Sequence, residues 1–169
     1  IRALCEDKQG NLWVGVKDGI LRIYDADRTY KGYLTENGII STVGTPVKGT
    51  AYFIIQDSKG VIWIATKGDG LIRAEATSPS GMSYKLTRYL HQEDDMYSLS
   101  DNNVYCVYED HNGRIWAATF AGGINYLTEN EDGKVLFINH RNHLKGYPID
   151  PCYKARFITS CLLSTSDAA

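Results

Sequence analysis

The hydrophobic positions of the chain form short runs that are separated by polar turns containing glycine. These runs are rich in β-branched and aromatic residues and are too short for helices. No segment combines a sustained helical period of apolar positions with recognisable helix caps. The pattern therefore predicts an all-β protein built from short strands.

One turn occurs three times at regular spacing. In each copy an aspartate lies three residues before a glycine and six before a tryptophan, and the tryptophans are 50 and 53 residues apart. A period near this length is typical of propellers, solenoids and arrays. Aspartate suits the first position of a tight turn and glycine its left-handed position, so we predict a structural role for the motif. Its residues are Asp7, Gly10, Trp13, Asp57, Gly60, Trp63, Asp110, Gly113 and Trp116.

Each turn is expected to close a hairpin, and two further strands follow it in every repeat. The predicted first strands are 3–5, 51–55 and 104–108, and the returning strands are 12–16, 62–66 and 115–119. The third strands are 20–24, 71–74 and 124–127, and the fourth are 30–34, 84–90 and 135–139. Four antiparallel strands in each repeat form the blade of a β-propeller.

The repeats divide residues 1–159 into three blades, at about 1–50, 51–103 and 104–154, and 156–159 begins one extra strand. Propellers close with roughly four to eight blades, so an incomplete ring is predicted. Further blades of a parent chain, or a second copy of this chain, are expected to complete it. Residues 160–169 are interpreted as an irregular tail left by truncation or by the way the sequence was cut, and the Ile1 start indicates a fragment.

Three segments also carry a family resemblance. They read EDKQGNLWVG at 6–15, QDSKGVIWIAT at 56–66 and YEDHNGRIWAAT at 108–119, and SLSDNNV at 98–104 precedes a first strand. Together they resemble the two-component regulator propeller repeat. The second repeat departs from this pattern by beginning with GTPVKGT at 44–50, and the first has Gly15-Val16 where the others have Ala-Thr.

The resemblance implies the sensor region of bacterial hybrid histidine kinases that detect extracellular glycans. It places the chain in the periplasm, as the ectodomain of an inner-membrane receptor. The implied partners are a carbohydrate ligand and the rest of the receptor.

Composition excludes several other classes. The net charge is −2 and no run of Lys and Arg suits a series of phosphates, so nucleic acid is not an expected partner. No apolar stretch approaches the roughly 20 residues that span a bilayer, so membrane contact is expected only through the parent protein. Cys5 and Cys106 lie in apolar runs typical of buried free thiols. Cys152 and Cys161 match no zinc spacing, and a disulfide between them stays open.

No catalytic residue, cofactor site or metal site is predicted. Turn chemistry accounts for the three repeated aspartates without a metal or an acid catalyst. His140 and His143 have no third ligand nearby in the sequence, and the acidic residues 129–132 match no EF-hand loop. The sequence shows no nucleophile with an accompanying base.

Binding residues are expected on one face of the propeller. In an antiparallel blade, the loop before the first strand and the loop between the second and third strands share a face, opposite the Asp-x-x-Gly turns. These loops vary among the repeats and suit a polar ligand. The predicted ligand-binding residues are Lys17, Lys67, Asp69, Asn102, Asn103 and Phe120, with Asp18 and the loop of Lys48 beside them.

The sequence therefore predicts a non-enzymatic sensor propeller that binds carbohydrate and signals to a histidine kinase. One alternative is a structural or interaction propeller that mediates receptor dimerisation. A third is a polysaccharide lyase or hydrolase propeller.

Overall fold

A computed structural model describes residues 1–142 and 155–159 of the chain. Within those residues all regular structure is β, in thirteen strands that form three sheets. The predicted all-β class is confirmed. No helix in this part of the chain is long and apolar enough to cross a membrane. Cys152, Cys161, His143 and the tail 160–169 lie outside the described residues.

The first sheet contains one strand more than predicted. Its strands, in both chain order and sheet order, are β1 (Ala3–Glu6), β2 (Leu12–Gly15), β3 (Leu21–Tyr24), β4 (Tyr30–Leu34) and β5 (Ile40–Ser41). The two residues of β5 pair with Tyr33 and Leu34 across a turn that contains Gly38. Two residues are too few to show any alternation, so the sequence pattern did not predict this strand.

The other two sheets have four strands each, as predicted. The second consists of β6 (Thr50–Gln56), β7 (Ile62–Lys67), β8 (Leu71–Ala76) and β9 (Tyr84–Tyr89). The third consists of β10 (Val104–Glu109), β11 (Ile115–Thr119), β12 (Gly123–Glu129) and β13 (Val135–Ile138). Every strand pairs antiparallel with the next one along the chain, so each sheet is a meander and corresponds to one blade.

The extra strand predicted at 156–159 is not formed. Residues 155–159 carry no strand, although the Ala155 amide donates to the Thr119 carbonyl at 3.2 Å and Cys106 Sγ donates to the Ile158 carbonyl at 3.8 Å. Both contacts are to the third blade. The physical reason is that a propeller's first strand forms its ladder with a returning strand, and no Asp-x-x-Gly-x-x-Trp hairpin follows in the sequence.

Each repeated aspartate fastens its own hairpin. Asp57 Oδ1 accepts a hydrogen bond from the Val61 amide at 2.8 Å, and its Oδ2 accepts one from Trp63 Nε1 at 2.8 Å. The Asp7 and Asp110 carboxylates accept the indole N–H of Trp13 and Trp116 at 2.9 and 3.0 Å. The carboxylate thus joins the turn to the tryptophan six residues on and fixes the indole orientation.

The blades pack through two apolar clusters. One lies between blades 1 and 2 and includes Trp13, Ile23, Ile54 and Tyr84, and the other lies between blades 2 and 3 and includes Trp63 and Phe137. The first strands lie side by side, because β1 contacts β6 and β6 contacts β10. The blades therefore converge on their first strands, as the blades of a propeller do.

The segment before the third blade is anchored by buried polar groups. The Ser100 amide donates to Asn125 Oδ1 at 3.0 Å, and Asn125 Nδ2 donates to Ser100 Oγ at 2.7 Å. Asn139 Nδ2 donates to the same Asn125 oxygen at 2.9 Å. Gly122 faces this site so closely that a Cβ would lie 2.2 Å from Ser100 Oγ. The network explains why a serine precedes the first strand here, and the adjacent Leu99 is buried in the apolar cluster between blades 2 and 3.

A first-strand position that is buried in blades 2 and 3 is exposed in blade 1. Leu4 is 58% exposed, whereas Ile54 and Val107, which also lie three residues before the repeated aspartate, are 4% and 1% exposed. Ile54 and Val107 pack against the preceding blade. The face of β1 therefore presents an apolar side chain at a position that neighbouring blades cover elsewhere.

Candidate ligand-binding face

The loops predicted to bind ligand share one face, which we call the variable face. It comprises residues 16–20, 42–49, 68–70, 90–103 and 120–122, which precede first strands or join second to third strands. The Asp-x-x-Gly turns lie at the other ends of the same strands, on what we call the turn face. The two sets of loops are therefore on opposite sides of the blades.

Three of the predicted residues, Asn102, Asn103 and Phe120, take part in hydrogen bonds between loops of blades 2 and 3. The Gly70 amide, next to Asp69, donates to the Asn102 carbonyl at 2.9 Å, and the Phe120 amide donates to the Asn103 carbonyl at 3.0 Å. Asn102 Oδ1 also accepts from the His91 amide at 2.7 Å. Asn102 and Asn103 thus hold neighbouring loops together as well as lining the face.

The remaining predicted residues are placed differently. Arg88 donates to the Asp69 carbonyl at 2.8 Å and to the Lys48 carbonyl at 3.1 Å, so it ties two loops of blade 2 together. Lys17 and Lys67 are exposed, in blades 1 and 2 respectively. Their ammonium groups provide charge on the variable face beside the loops that Arg88 holds.

An aromatic row at this face was not predicted from the sequence. The rings of Tyr52 and Tyr105 are stacked, with centroids 5.1 Å apart and planes at 10°. Phe120 packs edge-on against Tyr105 at 5.8 Å, and the Arg2 guanidinium lies 5.3 Å from the centre of the Tyr52 ring. The row therefore runs from Arg2 across all three blades to Phe120.

The row arises from one repeated position. Arg2, Tyr52 and Tyr105 each lie five residues before the repeated aspartate. In β6 and β10 the ladder register shifts between Ala51 and Phe53 and between Val104 and Cys106, so both tyrosines occupy a β-bulge. A bulge redirects one side chain out of the regular alternation. Alignment of the three repeats at this position is the sequence signal that would have identified the row.

The chemistry of the row suits a ring-shaped polar ligand. Aromatic faces pack against the apolar face of a sugar ring, and a few charged or polar groups at the edge fix its orientation. Arg2 at one end and the lysines of the loops supply such groups. The central first strand, β6, which carries Tyr52, lies between β1 and β10, which gives its ring a rigid base.

The carboxylates of the repeated turns lie on the turn face. Each accepts hydrogen bonds from its own hairpin. Burial opposes the charge of Asp110, but the amides of Arg114 and Asn112 and the Trp116 indole outweigh it and hold the pKa of this carboxyl below its usual value. Among residues 1–142 and 155–159, no group of three His, Cys, Asp or Glu side chains is placed to hold a metal ion.

The two described cysteines are free. Cys106 is 1% exposed and Cys5 is half-buried. Burial raises the pKa of both thiols above their usual value. Both groups are accordingly protonated near neutral pH and have little nucleophilic character.

Comparison with known proteins identifies the repeats. The family model described as two component regulator propeller matches residues 1–18 and 98–121. Histidine kinase P4 of Formosa agariphila is 27% identical to the chain over 111 residues. That match covers 66% of this chain but 8% of the kinase, so the chain spans a small part of that relative.

Solved structures share the fold. Two extracellular domains of hybrid two component systems from B. thetaiotaomicron each have 23% identity, with TM-scores of 0.53 and 0.54. They match 80% and 83% of this chain, which spans 20% and 22% of their lengths. Virginiamycin B lyase from Staphylococcus aureus has 16% identity and a TM-score of 0.53, over 82% of this chain and 40% of its own.

The sequence resemblance and the three antiparallel meanders, of five, four and four strands, thus agree with the family match. Within the chain, residues 1–18 and 98–121 match the model of the two component regulator propeller family.

Proposed function

We propose that the chain is a non-enzymatic sensor segment of a bacterial two-component receptor, which binds carbohydrate on its variable face and passes the signal to a histidine kinase. The aromatic row of Tyr52, Tyr105 and Phe120 is the observation that carries this proposal. The row lies on the face formed by variable loops, where recognition usually resides on a rigid scaffold.

The relatives support the signalling part of the proposal. Formosa agariphila histidine kinase P4 is a relative by sequence, and extracellular domains of hybrid two component systems share the fold. A periplasmic position, as the ectodomain of an inner-membrane receptor, follows from this role. The lyase shares the fold at 16% identity, which gives no reason to assign its activity to this chain.

A receptor that contains this segment provides the test. Its kinase output is measured against increasing glycan concentration for the wild type, Tyr105→Ala and the control Tyr24→Ala, whose ring pairs with Tyr30 in blade 1 away from the row. Loss of one aromatic contact is expected to raise the half-maximal glycan concentration roughly tenfold in Tyr105→Ala. Equal responses of Tyr105→Ala and the wild type would contradict glycan binding at this row.

A second candidate function is receptor dimerisation through blade faces. The exposed Leu4, at a position that other blades bury, favours it. Leu4→Lys is then expected to change the oligomeric state of the receptor without changing its affinity for glycan. A change in glycan affinity with no change in oligomeric state would count against this second function.

A further inference from the structure

A cavity of about 270 Å³ lies between blades 2 and 3 on the turn face. Its walls include Asp57, Trp63, Arg73, Tyr126 and Val135. It is on the opposite side of the blades from the aromatic row, so it is distinct from the site proposed above. Both blades belong to this chain, and no further blade is needed to form the cavity.

The cavity exists because one residue differs between equivalent positions. Tyr84 begins the fourth strand of blade 2 opposite Ala76, and Val135 begins the fourth strand of blade 3 opposite Glu129, at the same register. The Tyr84 ring packs edge-on against Trp13 of blade 1, with centroids 5.3 Å apart and planes at 83°. The smaller Val135 leaves open the corresponding space over Trp63.

The surroundings of Tyr84 show which groups this space accommodates. Burial, and secondarily the charge of Asp7, raise the pKa of Tyr84 to about 12. The Tyr84 ring thus packs against Trp13 of the Asp7–Trp13 pair, and burial keeps its hydroxyl protonated. Asp57 and Trp63 form the same hydrogen-bonded pair, at 2.8 Å, on the wall of the cavity.

The cavity differs from the filled space in its charge. Arg73 stands opposite Trp63 in the β7–β8 ladder, where blade 1 has Ile23 opposite Trp13. The Arg73 guanidinium lies 5.7 Å from the centre of the Trp63 ring and pairs with Glu75 at 3.0 Å.

Two further cations, Lys59 and Arg114, line the cavity. The Glu129 carboxylate is 3.6 Å from Arg73 but is 59% exposed, where solvent screens its charge. The Asp57 carboxylate is engaged by the turn. The lining therefore holds three cations and two carboxylates, and Glu75 and Asp110 beside it pair with Arg73 and Arg114.

We propose that this cavity binds a small aromatic carboxylate. The aromatic ring occupies the position over Trp63 that Tyr84 occupies over Trp13. A ring hydroxyl donates to Asp57, and the carboxylate pairs with Arg73. The volume suits one substituted ring and not an oligosaccharide.

The test uses 4-hydroxyphenylacetate as the probe and isothermal titration calorimetry on the full chain. Saturable binding is expected, with a dissociation constant below about 1 mM. Two probes separate the parts of the ligand. The neutral phenol p-cresol tests the carboxylate, and glucuronate, an acid without an aromatic ring, tests the ring. Both are expected to bind at least tenfold more weakly.

Two variants introduce into the cavity the residues that occupy the equivalent positions between blades 1 and 2. Val135→Tyr places a ring in the cavity and is expected to abolish binding, and Arg73→Ile removes the partly buried cation and is expected to weaken binding at least tenfold. Tyr52→Ala, on the variable face, is the control that should leave this affinity unchanged. Thermal unfolding of each variant verifies that it folds. If Val135→Tyr does not fold, Arg73→Ile still tests the proposal.

The proposal is overturned if the probe shows no saturable binding in the millimolar range. It is equally overturned if a folded Val135→Tyr or Arg73→Ile variant binds the probe as the wild type does. The control Tyr52→Ala changes the opposite face. A negative result for the aromatic carboxylate is therefore distinguishable from a loss of glycan binding at the aromatic row.

Discussion

Single residues of this protein take their role from the hairpin that carries them. Asp57 accepts two hydrogen bonds, from the Val61 amide and the Trp63 indole, and is itself buried. The bonds connect a surface turn to the packing between blades. The repeated aspartates could be mistaken for catalytic acids in the sequence. In the structure, Asp57 instead holds a tryptophan in place.

Replacement of Asp57 by Ala is expected to lower the free energy of unfolding by about 2–4 kcal/mol, because two buried donors lose their acceptor. Urea denaturation measures the change. The exposed Asp27 provides a matched control, for which Asp27→Ala should change stability by less than about 0.5 kcal/mol. Similar effects of the two substitutions would contradict the structural role of Asp57.

Asp110 is expected to make stability depend on pH. Its pKa is lower in the folded protein than in the unfolded chain, where the pKa of an aspartate is about 4. Its contribution is therefore complete above that value and is lost as the pH falls through the folded pKa. The difference in unfolding free energy between the wild type and Asp110→Asn should shrink between about pH 5 and the acid range. A difference that stays constant as the pH falls would refute this prediction.

The connections between strands also contribute to the stability of the protein. The segment that leads into β10 is held against blade 3 by the side chains of Ser100, Asn125 and Asn139. Asn125 is fully buried and serves as both donor and acceptor. A single amide thus positions the loop that carries Asn102 and Asn103.

Substitution of Asn125 by Ala should destabilise the protein by about 2–4 kcal/mol, since the Ser100 amide and the Asn139 side chain are left without their buried partner. The exposed Asn37 is the control, and Asn37→Ala should have little effect. Equilibrium unfolding of both variants gives the comparison. An Asn125→Ala protein as stable as the Asn37→Ala protein would show that the network does not support the loop.

The strands were predictable because the alternation of apolar and polar residues and the Asp-x-x-Gly turns are local signals. All twelve predicted blade strands are present, with ends that differ by at most two residues. The strand β5 was missed because its pairing depends on a turn and not on a pattern. The extra strand predicted at 156–159 is absent, and this segment instead contacts the third blade through the Ile158 carbonyl and Cys106.

The site was less predictable because it depends on contacts between blades. Tyr52 and Tyr105 are 53 residues apart and stack only because two first strands lie side by side. The cavity over Trp63 likewise depends on comparing Val135 with Tyr84 at equal register. Loop positions followed from strand order, whereas ring contacts required the packing of the blades.

At the scale of the whole molecule, the first of the three described blades exposes Leu4 on β1. Apolar faces of this kind favour association, either with further blades or with another copy of the chain. We expect the isolated chain to associate as its concentration rises and Leu4→Lys to weaken the association. Sedimentation equilibrium measures both. A chain that stays monomeric at all concentrations would count against association through this face.

The central claim is that the aromatic row on the variable face binds carbohydrate, and titration calorimetry with a panel of oligosaccharides tests it most directly. The account predicts that at least one oligosaccharide binds the wild-type chain saturably and that Tyr24→Ala retains this binding. The double variant Tyr52→Ala/Tyr105→Ala should lose it, because the stacked pair is removed. A panel in which nothing binds, or an oligosaccharide that binds the wild type and the double variant with equal affinity, would contradict the account.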